Sequence, residues 1–144
     1  MDEILRANSL YHIYESNAED GNVVALRGLS LSMKEGEAVA VVGPSGSGKS
    51  TILKILGAIM KPSAGSVELA GRRVTRMVGR ELVSLRQKTV SFIFQDSNLL
   101  PHLNALDNVA QPLLHQGQLA RPSRKKAQAL LDRLGMGDRA LGRP

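Results

Sequence analysis

A glycine-rich run, GPSGSGKST at residues 43–51, carries the clearest chemistry in this sequence. It matches the phosphate-loop pattern G-x-x-x-x-G-K-[ST] at every fixed position. Glycines at this spacing let successive backbone N–H groups turn toward one point, and the positive end of a following helix strengthens the resulting anion site. The run therefore predicts that the chain binds the phosphates of a nucleotide. The residues expected to hold them are Gly43, Ser45, Gly46, Ser47, Gly48, Lys49, Ser50 and Thr51.

Three side chains of this loop have distinct expected tasks. Lys49 is expected to reach the β- and γ-phosphates, and the Ser50 hydroxyl to bind Mg²⁺, an ion that otherwise keeps several water ligands. Thr51 is expected at the α-phosphate. The alternative is a glycine-rich turn with an unrelated lysine. That alternative does not explain why an apolar run precedes the loop and a helical pattern follows it.

The segments around the loop predict the elements that would position it. AVAVV at residues 38–42 is a continuous apolar run, which is typical of a strand covered on both faces. A helix is predicted to begin at Ser50, with apolar positions as far as Ile59, and to be stopped by KPSAG at residues 61–65. Strand, loop and helix in this order are the context that a phosphate loop requires.

The rest of the chain predicts further strands and helices in alternation. Strands are predicted at residues 8–14, 29–33, 66–70 and 89–94, and helices at 79–86 and 103–115, the latter kinked or ended by Pro112. A last helix is predicted to begin at Pro122 and Ser123 and to stop at Gly135. The pattern indicates an α/β domain of the P-loop NTPase class, with an antiparallel β subdomain added by the N-terminal strands.

The net charge of +6 is concentrated near the end of the sequence. Residues 121–144 carry seven basic and two acidic side chains, whereas residues 1–120 carry 12 basic and 11 acidic ones. Only two Tyr and two Phe are present to stack on bases. A solvated helix face is therefore favoured over a nucleic-acid or lipid surface, and no nucleic-acid partner is expected. The chain has no cysteine, which suits a cytosolic protein.

The second half of the chain carries a family resemblance. The apolar run TVSFIF is followed by Gln95 and then by DSNLLPHLNALDNVAQPLL. This segment resembles the ATP-binding cassette (ABC) family, in which a Q-loop glutamine ends a strand and precedes a pattern like N-L-L-P-x-L-x-A-x-x-N-V. The matching residues are Asn98, Leu99, Leu100, Pro101, Leu103, Ala105, Asn108 and Val109. The lead-in to the phosphate loop is also similar, so the resemblance covers about residues 9–144. It is closest to the subgroup that serves lipoprotein-release, macrolide-export and related FtsX-like permeases.

The resemblance implies an ATPase that uses MgATP to drive transport. Gln95 would contact Mg²⁺ or the attacking water and relay the nucleotide state to the permease, a task that suits an uncharged amide with both a donor and an acceptor. Tyr14 would stack on adenine, with Tyr11 as the alternative. The surface around Leu99 and Leu100 would dock an FtsX-like membrane permease. A second nucleotide-binding subunit would complete a head-to-tail dimer at the cytoplasmic face of the inner membrane.

Residues 1–144 contain neither the family's LSGGQ signature nor an apolar run ending in Asp-Glu. The resemblance therefore implies the N-terminal portion of an ABC ATPase, with the Walker A loop and Q-loop but without the signature, the Walker B carboxylates and the switch histidine. We expect an incomplete core sheet and a chain that binds ATP but does not turn it over. A truncated product or a fragment is the expected origin. The alternative is a non-catalytic module that associates with or inhibits an intact ATPase. A small GTPase is disfavoured by the lack of an N-K-x-D motif.

Overall fold

The computed structural model describes residues 3–15 and 21–144, and the chain divides into two compact units, Met1–Ser91 and Phe92–Pro144. The first contains an antiparallel sheet, the phosphate loop and two helices, and the second contains a helical pair. No helix in the described ranges is both long enough and apolar enough to span a bilayer.

The predicted antiparallel β subdomain is confirmed as a four-stranded sheet of order β2-β1-β3-β4. Its strands are β1 (Glu3–Tyr14), β2 (Val23–Lys34), β3 (Ala64–Leu69) and β4 (Arg72–Arg73). Every neighbouring pair is antiparallel, and the register of β1 on β2 is interrupted by several irregularities. The strands predicted at 8–14 and 29–33 are longer than expected because each has a neighbour along its whole length.

Helix α1 (Lys49–Leu56) covers one face of this sheet. Its Ile52, Ile55 and Leu56 side chains are buried in a common core with Leu10 and Val67 from the strands. The helix ends earlier than predicted, because Gly57 caps it and Ala58 takes a left-handed backbone conformation. Helix α2 (Gly79–Thr89) follows a short 3-10 helix and adds the buried Leu85 to the same core.

Two predicted strands do not form. Residues 38–42 and 90–94 belong to no strand of the described chain, and Thr89 closes α2 instead of opening a strand. Val42 is 87% exposed and Ile93 is 98% exposed. An apolar run becomes a strand only where a neighbour takes up its hydrogen bonds and other elements cover its faces. Among the described residues, these two segments have no strand neighbour and no covering element. The core sheet is therefore incomplete, as expected.

The second unit is built on helices α3 (Ala105–His115) and α4 (Ala120–Arg133). Asn104 caps α3 by accepting a hydrogen bond from the Asp107 N–H at 2.8 Å. The helix predicted over residues 103–115 is confirmed, and Pro112 does not end it, since α3 continues through this residue to His115. Asp107 also accepts a hydrogen bond from Arg124 Nε at 2.7 Å, and this bond and the carboxylate charge raise the pKa of the guanidinium.

The predicted start of α4 is wrong, while its predicted end is confirmed. The helix begins at Ala120, so that Pro122 lies in the first turn, where its missing N–H is not needed. Ser123 is not a cap: it is buried, and its hydroxyl donates to the Leu119 carbonyl at 2.8 Å. At the other end Gly135 has φ +68, and the Met136 N–H donates to the Leu131 carbonyl at 2.9 Å, as in a Schellman motif.

Candidate nucleotide-binding site

The phosphate loop, residues 43–48, leads directly into α1, with Gly48 as the N-cap of the helix. Gly48 has φ +87, and a Cβ at this position would lie 2.6 Å from the Ala25 carbonyl oxygen of β2. Only glycine combines this backbone conformation with so close an approach to a strand. The glycine at position 48 therefore has a concrete cause, because it allows the loop to pack against β2 at the start of α1.

Lys49 folds back over the loop. Its ammonium group donates to the carbonyl oxygens of Gly43 at 2.9 Å and Pro44 at 2.6 Å, and it lies 3.4 Å from Ser47 Oγ. A positive charge is thus held at the mouth of the loop by neutral acceptors. No acidic side chain among the described residues contacts Lys49, so no carboxylate neutralises its charge.

The start of α1 offers the second half of an anion site. The first N–H groups of any α-helix have no acceptor within the helix, and they add to the positive end of its dipole. The first turn of α1 contains no acidic residue that would repel a phosphate. Ser50 is exposed in this turn, so its hydroxyl is accessible to a cation. The residues present therefore fit the phosphates and Mg²⁺ of a bound nucleotide.

Of the two tyrosines, Tyr14 is the one that contacts the first turn of α1, directly after the phosphate loop. Its hydroxyl lies 3.0 Å from Thr51 Oγ1 and 3.7 Å from the Met60 sulfur. The hydroxyl of Tyr11 instead lies against Gly28 of β2. Thr51 is only 7% exposed, so the partner of its hydroxyl in this structure is Tyr14. The α-phosphate contact expected for Thr51 and the stacking expected for Tyr14 both stay predictions.

One neighbour of the site was missed in the sequence. The ring centroids of His12 and Tyr14 are 4.6 Å apart, with an angle of 86° between the ring planes. His12 is a lone histidine in a strand and matches no metal-ligand spacing, so the sequence did not indicate a functional role for it. Its separation of two residues from Tyr14, which places both side chains on one face of β1, was the available clue. The described residues contain no cluster of three or more His, Cys, Asp or Glu side chains suited to a metal ion.

Gln95 lies at an exposed bend in the second unit, directly after the irregular segment 90–94. The matching segment that follows is shaped by Asn108, which accepts a hydrogen bond from the Leu100 N–H at 2.7 Å. Its amide nitrogen donates to the carbonyls of Leu100, Leu103 and Asn104 at 3.0 to 3.2 Å. Leu99 and Leu100 are exposed and line an open groove together with Phe94, Pro112 and His115. The sequence marked Asn108 as a match but did not show this role.

The sequence profile of the family described as "ABC transporter" matches residues 26–143, which include both the phosphate loop and Gln95. The chain belongs to the ABC transporter family. An uncharacterized ABC transporter ATP-binding protein of Thermotoga maritima is 42% identical over all 144 residues, which span 61% of that protein. The macrolide export ATP-binding/permease protein MacB of Rhodopseudomonas palustris is 49% identical over 125 residues, 87% of this chain and 19% of that protein.

Solved ABC structures share the fold. A dimeric, post-hydrolysis structure of the ATP-binding cassette MJ0796, bound to ADP and Pi, matches with a TM-score of 0.87 and 33% sequence identity. The match covers 97% of this chain and 61% of the MJ0796 chain. The chain thus spans about three fifths of the Thermotoga maritima protein and of the MJ0796 chain, and about a fifth of MacB. ABC ATPases bind ATP with Mg²⁺ and hydrolyse it, and the P-loop NTPase fold class predicted for this chain is confirmed.

Proposed function

We propose that this chain binds MgATP at residues 43–51 as the N-terminal portion of the nucleotide-binding domain of an ABC transporter. The observation that carries the proposal is the Lys49 ammonium, held over the loop by the Gly43 and Pro44 carbonyls beside the start of α1. A fixed cation next to free helical N–H groups binds a polyphosphate without first gathering its donors. Bound Mg²⁺ would neutralise charge on the phosphates, and Ser50 is the residue proposed to hold it.

Titration of the purified chain with ATP and Mg²⁺ tests this proposal. Lys49→Ala should weaken ATP binding by at least about 10- to 100-fold, because hydrogen bonds to charged groups contribute about 1.5–3 kcal/mol each. Lys54→Ala is the matched control, since it removes a lysine of the same helix outside the loop and should leave the affinity unchanged. Equal affinities for the two variants would contradict the assignment of the loop.

The rest of the transporter assignment extends beyond this site. We propose that Gln95 contacts Mg²⁺ or the attacking water, and that the exposed Leu99 and Leu100 contribute to the docking surface for a membrane permease of the FtsX-like type. The open groove beside them, with Phe94 and Pro112 in its lining, supports a protein partner there. A second nucleotide-binding subunit, arranged head to tail, and a position at the cytoplasmic face of the inner membrane complete the proposal. Relatives named for macrolide export support export as the direction of transport.

The 144 residues are proposed to hold ATP without turning it over efficiently. Phosphoryl transfer depends on positioning the nucleophile and stabilising developing charge, and the carboxylates and signature that do this in the family do not occur in residues 1–144. A non-catalytic module that associates with an intact ATPase is the alternative to a portion of a longer subunit. Both hypotheses include the ATP site. They are distinguished by mixing this chain with an intact ATPase, because only the non-catalytic module is expected to bind it.

A further inference from the structure

Tyr14 is held at two points of its side chain. At its end the hydroxyl contacts Thr51 Oγ1 at 3.0 Å and the Met60 sulfur at 3.7 Å. At its ring it meets His12 edge to face, with centroids 4.6 Å apart. A tyrosine ring has two rotatable bonds before its hydroxyl. A contact at the hydroxyl alone leaves the plane of the ring free to turn, and the contact with His12 removes that freedom.

The backbone that carries His12 is also fixed. Ser63 bonds to both residues beside it: its N–H donates to the Tyr11 carbonyl at 2.9 Å, and its hydroxyl oxygen accepts from the Ile13 N–H at 3.1 Å. His12 therefore presents its ring to Tyr14 from a rigid position on β1. This end of the strand lies next to the loop, because Tyr14 reaches Thr51 in the first turn of α1.

The hydrogen bonding of His12 shows what kind of contact it makes. Its Nδ1 atom is buried and has no hydrogen-bond partner among the described residues. An unsatisfied buried nitrogen costs free energy, so this atom does not explain why the side chain lies here. The remaining contribution is the shape of the ring and its aromatic contact with Tyr14, which is favourable in this perpendicular geometry.

We propose that His12 is a positioning residue for the nucleotide base, which fixes the plane of Tyr14 so that one aromatic face is presented beside the phosphate loop. The inference rests on the proposed function, because the base platform matters only if a nucleotide binds at the loop. Stacking on an aromatic ring is tolerant of the base but sensitive to the orientation of the ring, and a ring fixed in advance loses less entropy on binding. His12 acts through Tyr14 and is assigned no contact with the phosphates.

The first test compares ATP with inorganic tripolyphosphate, both with Mg²⁺, in binding to the full chain. His12→Ala should weaken ATP binding about 3- to 10-fold and leave tripolyphosphate binding unchanged, because only ATP has a base to stack. His12→Phe keeps an aromatic edge without the unsatisfied nitrogen and should bind ATP as well as the parent chain or better. His102→Ala, a change at an exposed histidine, is the control. Equal losses for both ligands would show general damage to the loop and would overturn the inference, as would a His12→Phe variant as weak as His12→Ala.

The second test needs no nucleotide. The chain has no tryptophan and two tyrosines, so Tyr11→Phe leaves Tyr14 as the only source of tyrosine fluorescence. In that background His12→Ala should change the intensity and anisotropy of Tyr14 emission, and His102→Ala should not. If Tyr14 emission is the same with and without His12, the contact does not hold the ring and the inference is wrong. If the parent chain fails to bind ATP while its emission depends on His12, the proposed function fails and the contact itself stands.

Discussion

Gly48 shows how a single residue determines the geometry of the loop. Two independent reasons require glycine here: its left-handed φ of +87, and the 2.6 Å that would separate a Cβ at this position from the Ala25 carbonyl oxygen. The first is a local backbone preference, and the second is a tertiary contact with β2. The sequence motif requires glycine at this position for phosphate binding, and the structure adds that the sheet requires it too.

Gly48→Ala is expected to lower the free energy of unfolding by about 2–4 kcal/mol, because it adds a backbone clash to the strain of a left-handed alanine. Gly71→Ala is the matched control, since Gly71 has φ +72 but a Cβ at this position would have no atom within 4 Å. This control variant should lower the free energy of unfolding by only about 1–2 kcal/mol. Denaturant unfolding of both variants measures the difference. Equal losses would show that the approach to Ala25 relaxes without cost.

How far the sequence predicts single residues depends on whether their partners are near in the chain. The phosphate loop is one contiguous motif, so its residues could be named in advance. The contact of Tyr14 with Thr51 joins residues 37 positions apart, and no local pattern encodes it. The family resemblance supplied Tyr14 as the expected aromatic, whereas His12 has no counterpart in the motif and was identified from its ring contact with Tyr14 on the same strand.

At the scale of elements, the segment from Leu99 to Asn104 owes its conformation to one side chain of α3. Asn108 makes four hydrogen bonds to backbone atoms of this segment, which contains no regular structure before the cap of α3. A segment without its own ladder or helix depends on such bonds to satisfy its polar groups. Asn108 therefore links the exposed leucines to a rigid helix.

Asn108→Ala is expected to destabilise the second unit by about 1–3 kcal/mol, because it leaves backbone groups of the segment without partners. Asn108→Asp should be at least as damaging at neutral pH: the carboxylate can still accept from the Leu100 N–H, but it faces three carbonyl oxygens. Gln111→Ala, on the same helix, is the control. Hydrogen exchange at the Leu100 and Leu103 amides locates the effect. Protection as in the parent chain would contradict the role given to Asn108.

The two strands that failed to form show the limit of prediction at this scale. Strands β1 and β2 follow each other in the chain and pair with each other, so their patterns sufficed. The apolar runs at 38–42 and 90–94 are equally strand-like in composition, but a buried parallel strand needs neighbours that a short local pattern does not contain. Composition thus predicted that these segments are able to form strands. Whether they form them depends on the presence of neighbouring strands.

Exposed apolar residues in these segments are expected to promote self-association of the chain. Ile93→Lys should reduce light scattering at high protein concentration and leave the unfolding free energy unchanged, because Ile93 is 98% exposed and loses no packing. Leu119→Lys adds the same charge at an exposed leucine elsewhere, 76% exposed, and separates the local effect from that of net charge. If both variants reduce scattering equally, the segment around Ile93 is not the surface through which the chain self-associates.

At the scale of the whole molecule, binding and hydrolysis of ATP should be separable. The chain contains a complete phosphate loop but none of the family's Walker B carboxylates. We expect ATP to bind and its steady-state hydrolysis by the purified 144-residue chain to stay at the level of a Lys49→Ala control. A phosphate-release assay with saturating MgATP measures this. Turnover clearly above that control would show that other groups of this chain perform the chemistry.

The Asn108 hydrogen bonds have a consequence for how such a domain can diversify. All four join the side chain to backbone atoms, so the conformation of the segment does not depend on the identity of most side chains along it. Leu99, Leu100 and His102 are exposed and can be exchanged while the backbone keeps its course. One scaffold can therefore carry many recognition surfaces. Exchanging three to five residues of this segment between relatives offers a direct route to redirect the domain to a different partner without rebuilding its nucleotide site.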